Sequence, residues 1–578
     1  MSLGFALNMT ARGLQATENR MTVAAGNITN ADKPGYTRKT VTERYITSNA
    51  GTVPIYGTVN GTVDRYLTKQ VVRDTTDLGY KNVLAEYLDL YQKQMGSTDG
   101  ATTLSGYLNN LYSNLQITAT SPETSANKAY VVSIAQNMAN SLRNISMDVQ
   151  AQRLQADKKI EEVVDTINTS IAKIHELNNQ ITATQEAGAA RAEYEDQRLY
   201  ELEKLGENMD IQYFFDSQDR VQIYTASGQA LLLSSPHTID YTASTSIDST
   251  SLYPAAFAAI DLDGVDLTPL LNTGLLGGLV NLRDGIFVDE QAKLDEFATT
   301  LQFEMNAVIN TGTSLPPQAT MTGSLSGLTA ATAFAGLGTV RVGVIDNDGI
   351  TINYTDINLA ALPTVGAVVG ALNGIANINA SIDPSGRLVI SSTLANSGVA
   401  INTMTSDVGP LNQGFSHFFG LNDLFVGTGA QTLDVASYLQ ADNDYLAVGV
   451  FSGSATLAAG DRGVPRGDGS VADALADLLV ANVSFGAAGN FSAQSNTLKS
   501  YGEAIMTNAA SQAQIAQDEA DTAQVVFQQT KDILNNKSGV NIDEETAKMV
   551  ELQTKYQASA SVIATIKTMF QALLDAVR

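Results

Sequence analysis

The chain has 578 residues, of which 44% are apolar and only 16% charged, enough material for two to four packed domains but few charges for so long a surface. Thirty-four basic residues stand against 60 acidic ones, a formal net charge of -26; such a surface repels phosphate backbones and anionic lipid headgroups, so no nucleic acid and no membrane is expected among its partners. The absence of cysteine excludes disulfide frameworks, thiolate nucleophiles and thiolate-bound metals.

The opening stretch MSLGFALNMTARGLQATENR has no basic residue before an apolar core, so no cleavable secretory signal is read there. No stretch approaches the roughly 20 uninterrupted apolar residues of a membrane span. The chain is therefore expected to be cytoplasmic or to leave the cell by another route. Leu7, Leu14, Met21 and Ile28 recur at a heptad spacing, with Leu3 and Ala24 at the companion position, which predicts a helix with a narrow apolar seam. That helix should stop in NITNADKPGYTRK, where proline cannot continue the backbone ladder and glycine accepts a turn.

Residues about 125 to 205 carry Ile160, Ile167, Ile174 and Ile181 at one heptad position with Val164 and Ile171 at another, predicting a second, thicker helical layer. RVQIYTASGQALLL (220 to 233) alternates as strands around a Ser-Gly turn, and 287 to 310 return to helix. Pro316-Pro317 opens a region rich in Gly, Thr, Asn and Ser that runs to about 465. Within it TVRVGVIDNDGITINYTDI and INASIDPSGRLVISS read as strands joined by Asp-Gly and Pro-Ser-Gly turns. Residues about 490 to 536, rich in Ala and Gln, are again helical. In SGVNIDEE, Asn541 is placed to cap a last helix that has three acids in its first turn. Its seam is Ile542, Met549, Tyr556, Ile563, Phe570 and Val577 with Leu552, Ile566 and Leu573, weakened at Glu545 and Ser559. Alone, such a helix is marginal, so it needs the first helix or another subunit as partner.

The segment from Ala24 to Arg38, with Asn27, Ile28, Asn30, Pro34, Gly35 and Tyr36, resembles the N-terminal signature of bacterial flagellar rod, hook and hook-associated proteins; Lys33 stands where Thr is usual. GTVDRYLTKQ (61 to 70), YEDQRLYELEKL (194 to 205), LLNTGLLGGLVNLRD (270 to 284) and SGVNIDEE (538 to 545) narrow the resemblance to the hook-associated protein 1 (FlgK) family, and 340 to 392 are similar to a β-rich module of flagellins. The resemblance implies a structural role at the hook-filament junction and export by the flagellar type III apparatus to an extracellular position, without a cleaved signal peptide. It implies as partners neighbouring copies in a ring, the hook protein, a second junction protein of the hook-associated protein 3 type, and an export chaperone on the C-terminal helix. The flagellar hook protein and a secreted adhesin are the alternatives weighed.

The expected fold is α+β and rod-like, with coiled-coil layers from the two chain ends and β-rich outer domains inserted between them. Its expected domains are a terminal assembly domain (1–35 and 540–578), a helical bundle (36–206 and 470–539), a mixed domain (207–312) and an outer insertion (313–469). The two terminal seams are the expected assembly interface, and Asn27, Asn30, Pro34, Gly35 and Tyr36 the signature turn. No enzymatic role and no cofactor are expected: His175, His237 and His417 lie in no metal or nucleophile motif. DNDG (346 to 349) lacks the downstream acid of a calcium loop, GDGS (467 to 470) lacks a phosphate cradle, and RGD (466 to 468) is too short to indicate a receptor ligand.

Overall fold

In the computed structural model the described residues are 3–33, 35–48, 51–96, 100, 103–184 and 188–577; side chains over 44–56 and at 577 fall outside that description. Helix α1 (Leu3–Thr29) leads into an antiparallel hairpin, β1 (Lys39–Ser48) and β2 (Gly51–Gly61), which lies over α1 and touches α5. The hairpin occupies part of the range expected to be helical bundle. Helices then follow: α2 (Arg65–Met95), α3 (Leu104–Thr120), α4 (Ser125–Ala183) and α5 (Ala189–Asn208). Asp64 caps α2 by accepting from the backbone N–H of Tyr66 and Leu67, each at 3.1 Å, and Thr103 caps α3 through the Gly106 N–H at 3.2 Å. The heptad isoleucines of α4, Ile160, Ile167, Ile174 and Ile181, are fully buried, so the period read in the sequence is the face that packs.

A sheet of β3 (Ile211–Phe215), β4 (Val221–Thr225) and β5 (Ala230–Leu232) caps one end of α4 and α5. A smaller sheet of β6 (Ile239–Asp240), β7 (Asp261–Leu262) and β8 (Val265–Asp266) follows it. Gly274, at φ +72°, then turns the chain into α6 (Gly274–Asn281), where a Cβ would lie 2.8 Å from the Met209 Cα. A π turn joins α6 to α7 (Phe287–Ile309). There Arg283 is fully buried, paired at 2.7 Å with an equally buried Asp157 of α4, whose carboxylate also accepts from Tyr241 Oη and the Ser244 N–H.

The inserted module has a core of its own, running from Met321 to Leu421. It comprises β9 (Thr320–Thr322), β10 (Gly336–Leu337), β11 (Thr339–Asp346), β12 (Thr351–Asn358), α8 (Val365–Asn373), β13 (Ile378–Ile382), β14 (Leu388–Ser392), β15 (Ser397–Asn402), β16 (Asp407–Val408) and α9 (Phe415–Phe419). The hairpins expected at Asp-Gly and Pro-Ser-Gly are β11/β12 and β13/β14. The insertion expected over 313–469 is in fact split. Leu424, Phe425, Leu433, Leu439 and Leu446 belong to the core of the helical body, because β17 (Phe425–Val426) packs back on α7 and β18 (Asp434–Val435) on α4, with α10 (Ser437–Ala441) following. Asparagines fasten that return: Asn306 receives the Leu424 and Phe425 N–H groups at 2.9 and 3.1 Å, and Asn310 receives the Asn422 N–H at 2.9 Å.

The chain closes with α11 (Ser470–Val480), β19 (Val483–Phe485), β20 (Gln494–Asn496), α12 (Leu498–Ser538) and α13 (Ile542–Val577). Helix α12 runs along α2 as the largest helix contact of the body, and α13 packs on α1. No helix of the described residues is long and apolar enough to cross a membrane.

Candidate assembly site

The signature turn is an elbow between the two terminal helices and the body. After α1 the chain curls through Lys33 N–H to Asn30 O (3.0 Å) and Tyr36 N–H to Lys33 O (3.1 Å). Gly35 sits at φ +75°, a conformation that favours glycine, and a Cβ there would stand 3.4 Å from the Tyr200 Cβ. Pro34 lies outside the described residues. Asn30 donates back to Gly26 O at 2.9 Å, closing the last turn of α1.

Asn27 is fully buried and uses all four of its hydrogen-bonding positions. Its Nδ2 donates to Lys39 O at 2.9 Å and Glu545 Oε2 at 3.1 Å; its Oδ1 accepts from Lys39 N–H at 2.9 Å and Tyr36 Oη at 3.1 Å. Burial, reinforced by Asp196, Glu193 and Glu545, pushes the Tyr36 phenol up to about 12, so it stays a donor. One amide thus joins α1, the start of the hairpin and the first turn of α13.

Two ion-pair groups complete the elbow. Arg38 Nη2 lies 2.7 Å from Glu545 and its Nη1 3.2 Å from Glu544, while its backbone N–H donates to Ser538 O at 2.8 Å. Lys39 is buried and bonds Asp196 of α5, the Ala192 carbonyl at 2.8 Å and Thr37 Oγ1 at 3.1 Å. Asp196 also accepts from Thr37 Oγ1 at 2.6 Å and the Thr37 N–H at 3.1 Å. Burial raises its carboxyl above the ordinary range against the pull of Lys39. Ser538 Oγ accepts from the Asp64 N–H at 3.3 Å. Four sequence stretches far apart in the chain, at 27–39, 61–70, 194–205 and 538–545, therefore meet at one place. Their proximity was not readable from spacing alone.

From this elbow α1 and α13 run antiparallel. Asn27 faces Glu545, and one to two turns outward the Glu551 carboxyl is held below its ordinary value by Lys555 first and also by Arg20 of α1. Asn541 caps α13 as expected, accepting from Asp543 N–H at 3.0 Å and Glu544 N–H at 3.2 Å. Glu545, read in the sequence as a flaw in the seam, is its most buried member, followed by Leu552 and Ile566. The seam is thus polar at the elbow and apolar beyond it.

The remaining seam residues divide. Leu7, Leu14, Met21, Ile28, Met549 and Ile563 are half-buried between the helices. Ile542, Tyr556, Phe570 and Leu573 are exposed, Leu573 by 56%, which departs from a seam closed within one chain. The Val577 side chain lies outside the described residues. Val550, Val562, Met569 and Leu574 extend the open apolar face, and the strict heptad reading missed them. A two-helix stalk with this much uncovered apolar surface has the character of an unfinished coiled-coil layer.

The chemical motifs have structural roles. His175 lies on α4 with Asn179, His237 pairs with Asp263 at 2.5 Å, and His417 packs on the Phe303 ring. Asp346 Oδ1 accepts the Asp348 and Ile350 N–H groups and so builds its own hairpin turn. In RGD, Asp468 is occupied by the Val450 and Ser470 N–H groups and Arg466 pairs with Asp348. No group of three His, Asp or Glu that could hold a metal ion occurs among the described residues.

Residues 92–323 match the family model of the flagellar hook-associated protein FlgK helical domain, and residues 535–576 that of the flagellar basal body rod FlgEFG protein C-terminal region. The chain is 22% identical to flagellar hook-associated protein 1 of Escherichia coli K12, over 98% of this chain and 99% of that protein. It is 24% identical to its counterpart from Salmonella typhimurium LT2, over 52% of this chain and 56% of that one. The solved flagellar hook junction protein FlgK from Burkholderia pseudomallei shares the fold, with a TM-score of 0.51 at 13% identity, covering 80% of this chain and 99% of that one. With the four stretches of the elbow and both matched regions in their expected order, the chain is similar to flagellar hook-associated protein 1 over nearly its whole length.

Proposed function

We propose that the chain is a structural subunit of the bacterial flagellum that forms the junction ring between hook and filament, assembling through its two terminal helices and catalysing nothing. The observation that carries this reading is the open apolar face of α13, held at a fixed angle to the body by the Asn27 elbow. Assembly buries such a face only between chains, as in a coiled-coil layer. Its neighbours in this reading are further copies laterally, the hook protein on one side and a second junction protein of the hook-associated protein 3 type on the other. Before assembly an export chaperone covers the C-terminal helix, and the chain leaves through the flagellum.

Cysteine is absent from the sequence, so Ser385→Cys, in the exposed β13–β14 turn, supplies a unique thiol for an impermeant maleimide dye on motile cells. One spot between each hook and its filament is the expected result. Label along the whole hook would make the chain a hook protein, and a cell-wide coat an adhesin. In the same cells Ile563→Asp should give a folded monomer that fails to enter the flagellum; normal filaments on cells carrying only that variant would refute the assembly role of α13.

A further inference from the structure

Helix α2 carries two grooves on its two sides, one acidic and one neutral. The first, of about 400 Å3, lies between α2 and α12 and is lined by Asp74, Asp77, Lys81, Ile515, Asp518 and Glu519. Lys81 is consumed by Glu519 at 2.6 Å, and Asp77 forms no ion pair among the described residues. Four acids against one lysine leave this groove at a formal charge of -3. Ile515 and Val526 lie in it 55% and 46% exposed. The second groove, of about 550 Å3, lies between α2 and α4 and presents Lys158 and Lys159 against Glu86 and Glu162, a formal charge of zero, with Leu154 beside Val83 and Tyr87. Lys159 pairs with Glu162 at 2.7 Å, while Lys158 has no ion pair among the described residues. One turn further along the same faces stand Leu90 and Met147, 40% and 50% exposed.

At 100° per residue, Asp74, Asp77 and Lys81 point about 160° away from Val83, Glu86 and Tyr87 around α2. The two faces therefore open on opposite sides of the body. On a chain of net charge -26 an acidic groove is repelled by much of another copy's surface, whereas the α4 face, neutral overall, offers it one unpaired ammonium at Lys158 together with apolar contact. Faces that differ on the two sides of one subunit mate head to tail, a heterologous contact that repeats from copy to copy and closes into a ring or runs on as a helix.

We propose that the α2–α12 groove of one copy receives the Lys158 face of α4 from the next, making the lateral contact of the body in the assembled structure. This rests on the junction reading above and adds to it a surface distinct from the terminal helices. The test places Asp77→Cys and Lys158→Cys in one full-length chain that otherwise lacks cysteine, expressed as the cell's only copy. Isolated flagella are treated with a short bis-maleimide and resolved on a denaturing gel. A ladder of dimers, trimers and higher rungs that requires both cysteines is expected. Protein present in the flagella but monomeric after treatment overturns the lateral contact while leaving the junction reading intact; absence of the unsubstituted chain from flagella refutes both. Charge exchange reads the same contact without a crosslinker. Asp77→Lys alone and Lys158→Glu alone should each lower incorporation several-fold and together restore it, whereas a double variant as poor as the worse single overturns the pairing.

Discussion

Replacing Asn27 by alanine tests the elbow most directly. The change removes four hydrogen bonds of 2.9 to 3.1 Å at a fully buried position. It leaves the Lys39 backbone N–H and C=O without that partner and Glu545 with the Arg38 side chain as its main remaining contact. At roughly 1 kcal/mol net for each bond, with an added penalty for the stranded buried groups, the loss is about 3 to 5 kcal/mol. The loss is local, since the body has its own core. Hydrogen exchange read by mass spectrometry on peptides from residues 20–30 and 542–552 should accelerate about 100-fold or more. Peptides from residues 131–142 inside α4 should be unchanged. A double-mutant cycle with Glu545→Ala should return a coupling of about 1 kcal/mol or more. Protection within twofold of the native chain at both helices would refute the argument that this amide holds them together.

Asp423, buried at the joint between α7 and the inserted module, has its carboxyl pushed up to about 6 by burial, against hydrogen bonds from Ser324 Oγ and Asn310 Nδ2. The folded state therefore holds this proton more tightly than the unfolded chain, so the group's contribution falls as pH rises from about 4 to about 6 and is wholly lost above that window. The penalty at neutral pH is about 3 kcal/mol. Asp423→Asn should flatten this slope between pH 4.5 and 7.5 in denaturant midpoints, and an unchanged slope would refute it. Gly274→Ala, which forces a positive φ and brings a Cβ against the Met209 backbone, should cost on the order of 2 kcal/mol, visible as a lowered Tm. Asp157→Ala, which removes one of the two carboxylates on the buried Arg283 guanidinium and leaves it the Asp284 pair, should cost roughly 1.5 to 3 kcal/mol in denaturant midpoints; no measurable loss would show that Asp284 alone satisfies the charge.

The helices were legible where one periodic face packs on one partner: α4 buries the isoleucines that its heptads announced, and Asn541 caps α13 as its spacing indicated. Turn chemistry placed the β11/β12 and β13/β14 hairpins for the same local reason. The β1/β2 hairpin was missed because Pro54, Gly57 and several Thr give it no clean alternation and its support comes from α1 and α5. Residues 422–448 share the composition of the insertion, while the asparagines that draw them back, Asn306 on α7 and Asn310 just past its end, lie over 100 positions earlier. Asn27 and Glu545 were visible singly, one as a signature residue and the other as a flaw in a seam. Their pairing spans 518 positions, and no periodicity carries that information.

That same separation sets an order of events. A contact between residues 27 and 545 is among the longest loops the chain can close, and closing it must follow the local helices and the body's own packing. A chain that emerges N-terminus first can complete its body while α1 still has nothing to lie against. The elbow locks only after the last few dozen residues have arrived. Closure of the stalk therefore waits on α13: a chain truncated before Glu545 would keep a folded body but leave α1 without the helix it packs on.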